Sequence, residues 1–112
     1  MIALTADLFF RSKIEETAKA LGLERPRFAS SAEQAGSLAS GSELVLLELG
    51  PRTGGVEAVA RIKEAAPSAR IVAFGSHVDT ETLERARQLG ATEVMARSRF
   101  VQEMARIMGA GP

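Results

Sequence analysis

The stretch that most constrains the fold is residues 43–50, which read ELVLLELG. An unbroken apolar run bounded by turn-forming residues is typical of a strand buried on both faces, such as the central strand of a parallel sheet. Glu48 stands at the C-terminal end of this run, and open α/β sheets bind ligands at the C-terminal ends of their strands. The stretch therefore predicts a parallel sheet and makes Glu48 the first candidate functional residue.

Length and composition narrow the class of protein. The 112 residues suffice for one hydrophobic core, so we predict a single domain over residues 1–112. The 14 basic and 14 acidic side chains cancel, so net charge favours neither nucleic acid nor a membrane surface as a partner. There is no cysteine and one histidine, which excludes a thiolate or His-rich metal site. Without a signal peptide or a membrane-length apolar run, we expect a cytoplasmic protein with no cofactor and no bound metal.

Apolar periodicity and turn residues predict five strands alternating with five helices. The strands are expected at residues 2–5, 25–29, 43–49, 71–74 and 92–96. The first three helices are expected at residues 8–21, between Ser31 and Ser40, and at 56–66. The fourth is expected to run from Asp79 or Thr80 to residue 89, and the fifth to follow a cap at Ser98 and to end before a frayed segment at 109–112. Short connections indicate a flavodoxin-like α/β fold: a parallel sheet of order 2-1-3-4-5, with helices on both faces and a crevice between the first and third strands.

Segments from three parts of the chain resemble the receiver domain of response regulators (CheY-like), in the same order. ELVLLELG resembles the third strand of a receiver, and residues 54–76, GGVEAVARIKEAAPSARIVAFGS, resemble the following helix and fourth strand. Residues 88–100, QLGATEVMARSRF, resemble the end of the domain. The resemblance implies the same flavodoxin-like fold.

The resemblance also implies a phosphorylation site, and this sequence departs from it at every position. Receivers use an acidic pair after strand one to hold a divalent metal, an acceptor aspartate on strand three, a hydroxyl after strand four and a lysine after strand five. The acidic pair falls on Thr5 and Ala6, with Asp7 one position late, and the acceptor falls on Glu48. The hydroxyl position falls on Gly75, with Ser76 beside it, and the lysine position falls on Arg97. We therefore interpret the chain as a pseudo-receiver, a signalling or scaffolding module that is not an enzyme.

Other interpretations remain open at this point. The chain is alternatively a functional receiver in which Glu48 or Asp7 accepts a phosphoryl group. It is alternatively a small-anion or nucleotide binder, whose loop Arg52, Thr53, Gly54 and Gly55 leads into a helix N-terminus. Glu48 itself is expected to mimic the phosphorylated state, to form a bidentate ion pair with Arg97, or to be solvated or bonded to a neighbouring backbone amide.

Partner contacts are expected on the surface formed by helix four, strand five and helix five, as the resemblance implies. The candidate residues of that face, for another protein or a second copy of the chain, are Val94, Phe100, Val101 and Met104. At the start of the first helix stand Leu8, Phe9 and Phe10. At least one of these three is expected to be exposed or to face the mouth of the crevice.

Overall fold

The computed structural model describes residues 1–109, which form a five-stranded parallel sheet of order β2-β1-β3-β4-β5. The strands are β1 (Ile2–Leu4), β2 (Arg27–Phe28), β3 (Leu44–Glu48), β4 (Arg70–Gly75) and β5 (Glu93–Ala96). The helices are α1 (Leu8–Ala20), α2 (Ala32–Leu38), α3 (Glu57–Ala65), α4 (Thr80–Gln88) and α5 (Arg97–Gly109). The predicted flavodoxin-like fold and its strand order are confirmed.

Strand β3 is the middle strand of the sheet, and its side chains are buried on both faces. Val45 and Leu47 belong to the apolar layer that packs against α2, α3 and α4. Leu44 and Leu46 belong to the layer that packs against α1 and α5. Alternate residues of a strand point to opposite faces, so a continuous apolar run fills both layers at once.

An aromatic cluster fills the layer under α1 and α5. The rings of Phe74 on β4 and Phe100 on α5 are stacked, with centroids 3.9 Å apart and planes 2° from parallel. Phe10 on α1 joins them, with its centroid 4.9 Å from that of Phe74. Because α5 directs its apolar stripe into the sheet, Phe100 and Met104 are 0% and 2% exposed. Their predicted place on a partner surface is therefore wrong.

The start of α5 also differs from the prediction. Strand β5 ends at Ala96 and the helix begins directly at Arg97, so Ser98 lies inside the first turn and is not the cap. Gly109 is the last residue of this helix and not part of a frayed end. The other residues of that predicted end, 110–112, lie outside the described part of the chain.

Two further segments are shaped by proline. Residues 51–53, within the predicted loop of turn-forming residues, form a short 3₁₀ turn (Pro51–Thr53) with the proline at its first position, where its missing N–H costs nothing. Strand β2 has two residues instead of the expected five. Arg27 and the following Ala29 donate hydrogen bonds to the Met1 and Ala3 carbonyls, so the missing N–H of Pro26 falls on the open side of this edge strand, where it breaks no bond to β1. Its place at the edge of the sheet agrees with the prediction.

The start of α1 is exposed to solvent. Leu8 is 79% exposed and Phe9 is 54% exposed, whereas Phe10 is buried. This confirms that at least one of the three side chains faces outward. Within residues 1–109, no helix is both long enough and apolar enough to cross a membrane.

Candidate functional site

Strands β1 and β3 bring Thr5 and Glu48 side by side. Leu4 pairs with Leu47 in the parallel register, so the next residue of each strand emerges at the same edge of the sheet. The Thr5 hydroxyl donates a hydrogen bond to Glu48 Oε1 at 2.6 Å, and the Ala6 backbone N–H donates to the same oxygen at 3.1 Å. Glu48 is 8% exposed, and these donors offset the cost of burying its carboxylate.

Arg97 approaches the other oxygen of the carboxylate. Its Nε lies 3.8 Å from Glu48 Oε2, and the guanidinium side chain is 43% exposed. The separation is that of an ion pair and exceeds hydrogen-bond length. Arg97 opens α5 at the end of β5, and β4 lies between β5 and β3 in the sheet, so the arginine reaches Glu48 across one strand. The predicted ion pair is present, but its bidentate geometry is wrong.

Asp7 serves as the N-cap of α1. Its Oδ1 accepts a hydrogen bond from the Phe9 N–H at 2.8 Å, and its own N–H donates to Thr5 Oγ1 at 3.1 Å. The carboxylate therefore satisfies an otherwise unpaired amide of the helix. The Thr5 hydroxyl connects this cap to Glu48, because it accepts from Asp7 and donates to the buried carboxylate.

The residues at the end of β4 stay apart from Glu48. Gly75 is the last residue of that strand, and a Cβ atom added to it would lie 3.4 Å from the Leu49 Cβ. The Ser76 hydroxyl accepts a hydrogen bond from the Val78 N–H at 3.4 Å and so belongs to the turn before α4. Neither Gly75 nor Ser76 lines the crevice that contains Glu48.

A crevice of about 560 Å³ opens at the C-terminal ends of β1 and β3, where the strand order predicts it. The residues lining it come from the β1–α1 loop, the end of β3, the 3₁₀ turn and the start of α5: Ala6, Asp7, Leu8, Glu48, Gly50, Pro51, Arg52, Thr53 and Arg97. The predicted site residues Ala6, Asp7, Glu48 and Arg97 are therefore brought together at one place.

The loop proposed to bind anions is closed on itself. The Thr53 side chain is buried, and its hydroxyl lies within hydrogen-bond distance of the Glu48 and Gly50 carbonyls, to one of which it donates. The Gly55 N–H donates to the Gly50 carbonyl at 2.8 Å, and Gly54 and Gly55 have φ values of 95° and 67°, which close the turn. The Thr53 hydroxyl and the Gly55 N–H therefore have partners within the loop, and Arg52 is the loop side chain that carries charge into the crevice.

The carboxylates at the crevice do not fit the divalent metal of a receiver. Magnesium requires several oxygen ligands in near-octahedral geometry. Glu48 already accepts hydrogen bonds from Thr5 and Ala6, and Asp7 caps α1. Within residues 1–109, no group of three or more His, Cys, Asp or Glu side chains could hold a metal ion.

The structure reveals a role for Thr5 and Ala6 that the sequence does not. Sequence alone marks both as positions where the acids of a receiver are missing. Their contact with Glu48 depends on the adjacency of β1 and β3, which the predicted order 2-1-3-4-5 contains. A threonine at the end of the strand next to a carboxylate is the signal that could have found this pair.

Solved receiver domains share this fold. No protein-family model and no curated protein matches the chain. A response regulator from Burkholderia pseudomallei, solved with a phosphorylated aspartic acid, calcium ion and citrate, is 20% identical with a TM-score of 0.74; the match covers 95% of this chain and 64% of that one. The receiver domain of NtrX from Brucella abortus is 20% identical with a TM-score of 0.74, covering 98% of both chains. A receiver domain protein from Clostridium thermocellum is 18% identical with a TM-score of 0.76, covering 96% of this chain and 89% of that one. The chain thus has the receiver-domain fold of two-component response regulators.

Proposed function

We propose that the protein is a pseudo-receiver, a signalling or scaffolding module that acts by binding another protein or a second copy of itself, without phosphoryl transfer. The observation that carries this proposal is the environment of Glu48, which occupies the position that the resemblance assigns to the phosphoryl acceptor. Its Oε1 accepts hydrogen bonds from Thr5 and Ala6, and its Oε2 faces Arg97. Both oxygens of the carboxylate therefore have partners within the protein.

The arrangement of charges in this crevice does not favour phosphoryl transfer. An anionic carboxylate attacks an anionic phosphoryl group efficiently when cations neutralise the charge between them and hold the reactants in line. Here Arg97 is the cation beside Glu48, and Asp7 is engaged in capping α1. Donors on Glu48 Oε1 also stabilise its ground-state charge and so make that oxygen a weaker nucleophile. A glutamate at this position supplies a carboxylate without the action of a kinase.

The surface formed by α4, β5 and α5 is mainly polar. Val94 and Val101 are half-buried apolar side chains on it. Arg106 forms ion pairs with Glu93 at 3.0 Å and with Glu103 at 3.1 Å, and Arg87 donates to the Val94 carbonyl at 3.3 Å, at the edge of the sheet. Charges on an edge strand discourage nonspecific strand pairing, so contact through this face would be polar.

The test is incubation with acetyl phosphate and magnesium chloride, followed by intact-mass measurement. We expect no stable gain of one phosphoryl group, while a receiver domain with the full set of acids gains one under the same conditions. The Glu48→Gln variant is the matched control for the site. A mass gain in the wild-type protein that the Glu48→Gln variant lacks would show a functional receiver and overturn the proposal.

A further inference from the structure

Two adjacent apolar side chains stand out on the surface at the start of α1. Leu8 and Phe9 are 79% and 54% exposed, and Leu8 also lines the crevice together with Pro51. They are held on an ordered helical turn, because the Asp7 carboxylate accepts a hydrogen bond from the Phe9 N–H at 2.8 Å. The backbone of both residues is therefore fixed before binding, which lowers the entropy cost of using them as contact points.

Positive charge surrounds this apolar pair. The Lys13 Nζ lies 6.0 Å from the centroid of the Phe9 ring, and Arg52 lines the crevice with Leu8. Within the described part of the chain, neither Lys13 nor Arg52 lies within 4.0 Å of a carboxylate, whereas Arg106 on α5 is paired with Glu93 and Glu103. The carboxylates lining the crevice are Glu48, which is buried and faces Arg97, and Asp7, which caps the helix. They are outnumbered by the cations Lys13, Arg52 and Arg97. Charge at the mouth of the crevice therefore favours an acidic partner.

We propose that this crevice-mouth surface, formed by Leu8, Phe9, Lys13, Pro51, Arg52 and Arg97, docks a segment of a partner protein that carries apolar side chains flanked by carboxylates. The proposal rests on the proposed function, since it names the surface and the chemistry of the partner. An apolar side chain of the partner packs between Leu8 and Pro51. Its carboxylates meet Arg52 and Lys13 at the rim.

Shape and charge favour this occupant over two others. A second copy bound by a two-fold axis would place the same patch against itself and bring its cations together. A lipid surface is flat on this scale and would leave the crevice of about 560 Å³ beside Leu8 unfilled. A protein segment can fill the crevice and neutralise the rim together.

The test is selection of binders from a displayed library of random peptides against the full chain. We expect enriched peptides to carry Leu, Ile or Phe next to several Asp or Glu residues. A synthetic peptide of the enriched sequence should bind roughly tenfold or more weakly to the Leu8→Ala/Phe9→Ala variant and should also lose affinity for Arg52→Glu. Val78→Ala is the matched control, because Val78 is 74% exposed on the loop before α4; it should bind as the wild type does.

Several outcomes would overturn the docking proposal. These are enriched peptides without acidic or without apolar residues, no enrichment at all, and equal binding by the Leu8→Ala/Phe9→Ala variant. Self-association that the same variant abolishes would identify a second copy as the occupant. Sedimentation of the protein with phosphatidylglycerol vesicles, lost in that variant, would identify a lipid surface. The phosphoryl mass gain is measured on the same sample, so phosphorylation of Glu48 would overturn the pseudo-receiver proposal and leave the docking result to be judged separately.

Discussion

At the scale of single residues, the neighbours of Glu48 differ in what they contribute to stability. A buried carboxylate that loses a hydrogen-bond donor retains its desolvation cost. The Thr5 hydroxyl is 2.6 Å from Oε1, whereas the half-exposed Arg97 is 3.8 Å from Oε2. We infer that Thr5 holds the carboxylate more firmly than Arg97 does, although the arginine carries the opposite charge.

Replacing Thr5 with valine should destabilise the protein. The Thr5→Val change keeps the shape of the side chain and removes the donor to Glu48 Oε1, so we expect the free energy of unfolding to fall by about 1–3 kcal/mol. Urea denaturation followed by circular dichroism measures it. Thr5→Ser keeps the hydroxyl and serves as the control. Equal stability of Thr5→Val and Thr5→Ser would show that the hydrogen bond does not hold Glu48.

Replacing Arg97 with alanine should have a smaller effect. An ion pair with one half-exposed partner contributes about 0–1 kcal/mol, so Arg97→Ala should lower the free energy of unfolding by less than Thr5→Val does. Added salt should reduce the difference between wild type and Arg97→Ala further, because it screens the exposed guanidinium. A loss as large as that of Thr5→Val would mean that Arg97 is the main support of Glu48.

At the scale of elements, α2 and α3 approach each other closely at one residue. Gly36 in α2 faces Ala65 in α3, and a Cβ atom added to the glycine would lie 2.7 Å from the Ala65 Cβ. Glycine inside a helix normally costs about 1 kcal/mol relative to alanine. Its presence in α2 allows the two helices to pack at this distance.

Replacing Gly36 with alanine should therefore destabilise the protein, although alanine is the better helix former. Overpacking of a closed contact costs about 1–3 kcal/mol, and the neighbouring Ala65 Cβ sits on helical backbone that cannot rotate away. Ser37→Ala, at an exposed position of the same helix, is the control and should change stability by less than about 0.5 kcal/mol. Adding Ala65→Gly should recover part of the loss in Gly36→Ala. Urea denaturation of the single and double variants tests this, and a Gly36→Ala protein more stable than wild type would contradict it.

The same elements show how far sequence reasoning reaches. The positions of β3 and β4 follow from buried apolar runs, and helix caps such as Asp7 and Asp79 are local signals, so these features were predictable. Phe100 and Met104 lie on one apolar stripe of α5, but periodicity alone does not say whether such a stripe faces the sheet or a partner. The predicted cap at Ser98 is wrong: serine is a good capping residue, but here the chain passes directly from strand to helix at Arg97.

At the scale of the whole molecule, the two ends of β3 carry carboxylates with different tasks. Glu48 lies in the crevice at the C-terminal end of the strand, and Glu43 directly precedes its N-terminal end. Glu43 accepts hydrogen bonds from the Met1 α-amino group at 2.7 Å, from Arg27 at 3.1 Å and from the Ser40 N–H at 3.2 Å. The Ser40 contact is local, but those with Met1 and Arg27 depend on the strand order β2-β1-β3. The sequence around Glu43 could not reveal them without that order, and the same holds for the Thr5 contact of Glu48.

Glu43 should make the protein less stable in acid. Burial alone would raise the pKa of the Glu43 carboxyl, but hydrogen bonds from the Met1 α-amino group, Ser40 and Arg27 outweigh it, so the pKa lies below its ordinary value of 4.5. A group whose pKa is depressed by folding stabilises the folded state above its unfolded pKa, and this stability is lost as the pH falls through the folded pKa. Between about pH 5 and about pH 3, the free energy of unfolding of the wild type should therefore fall more steeply than that of Glu43→Gln, measured by urea denaturation across this range. Glu64→Gln, at an exposed position of α3, removes the same formal charge and is the control for net charge. If the Glu43→Gln and Glu64→Gln proteins respond to pH alike, the contacts of Glu43 do not couple folding to its ionisation.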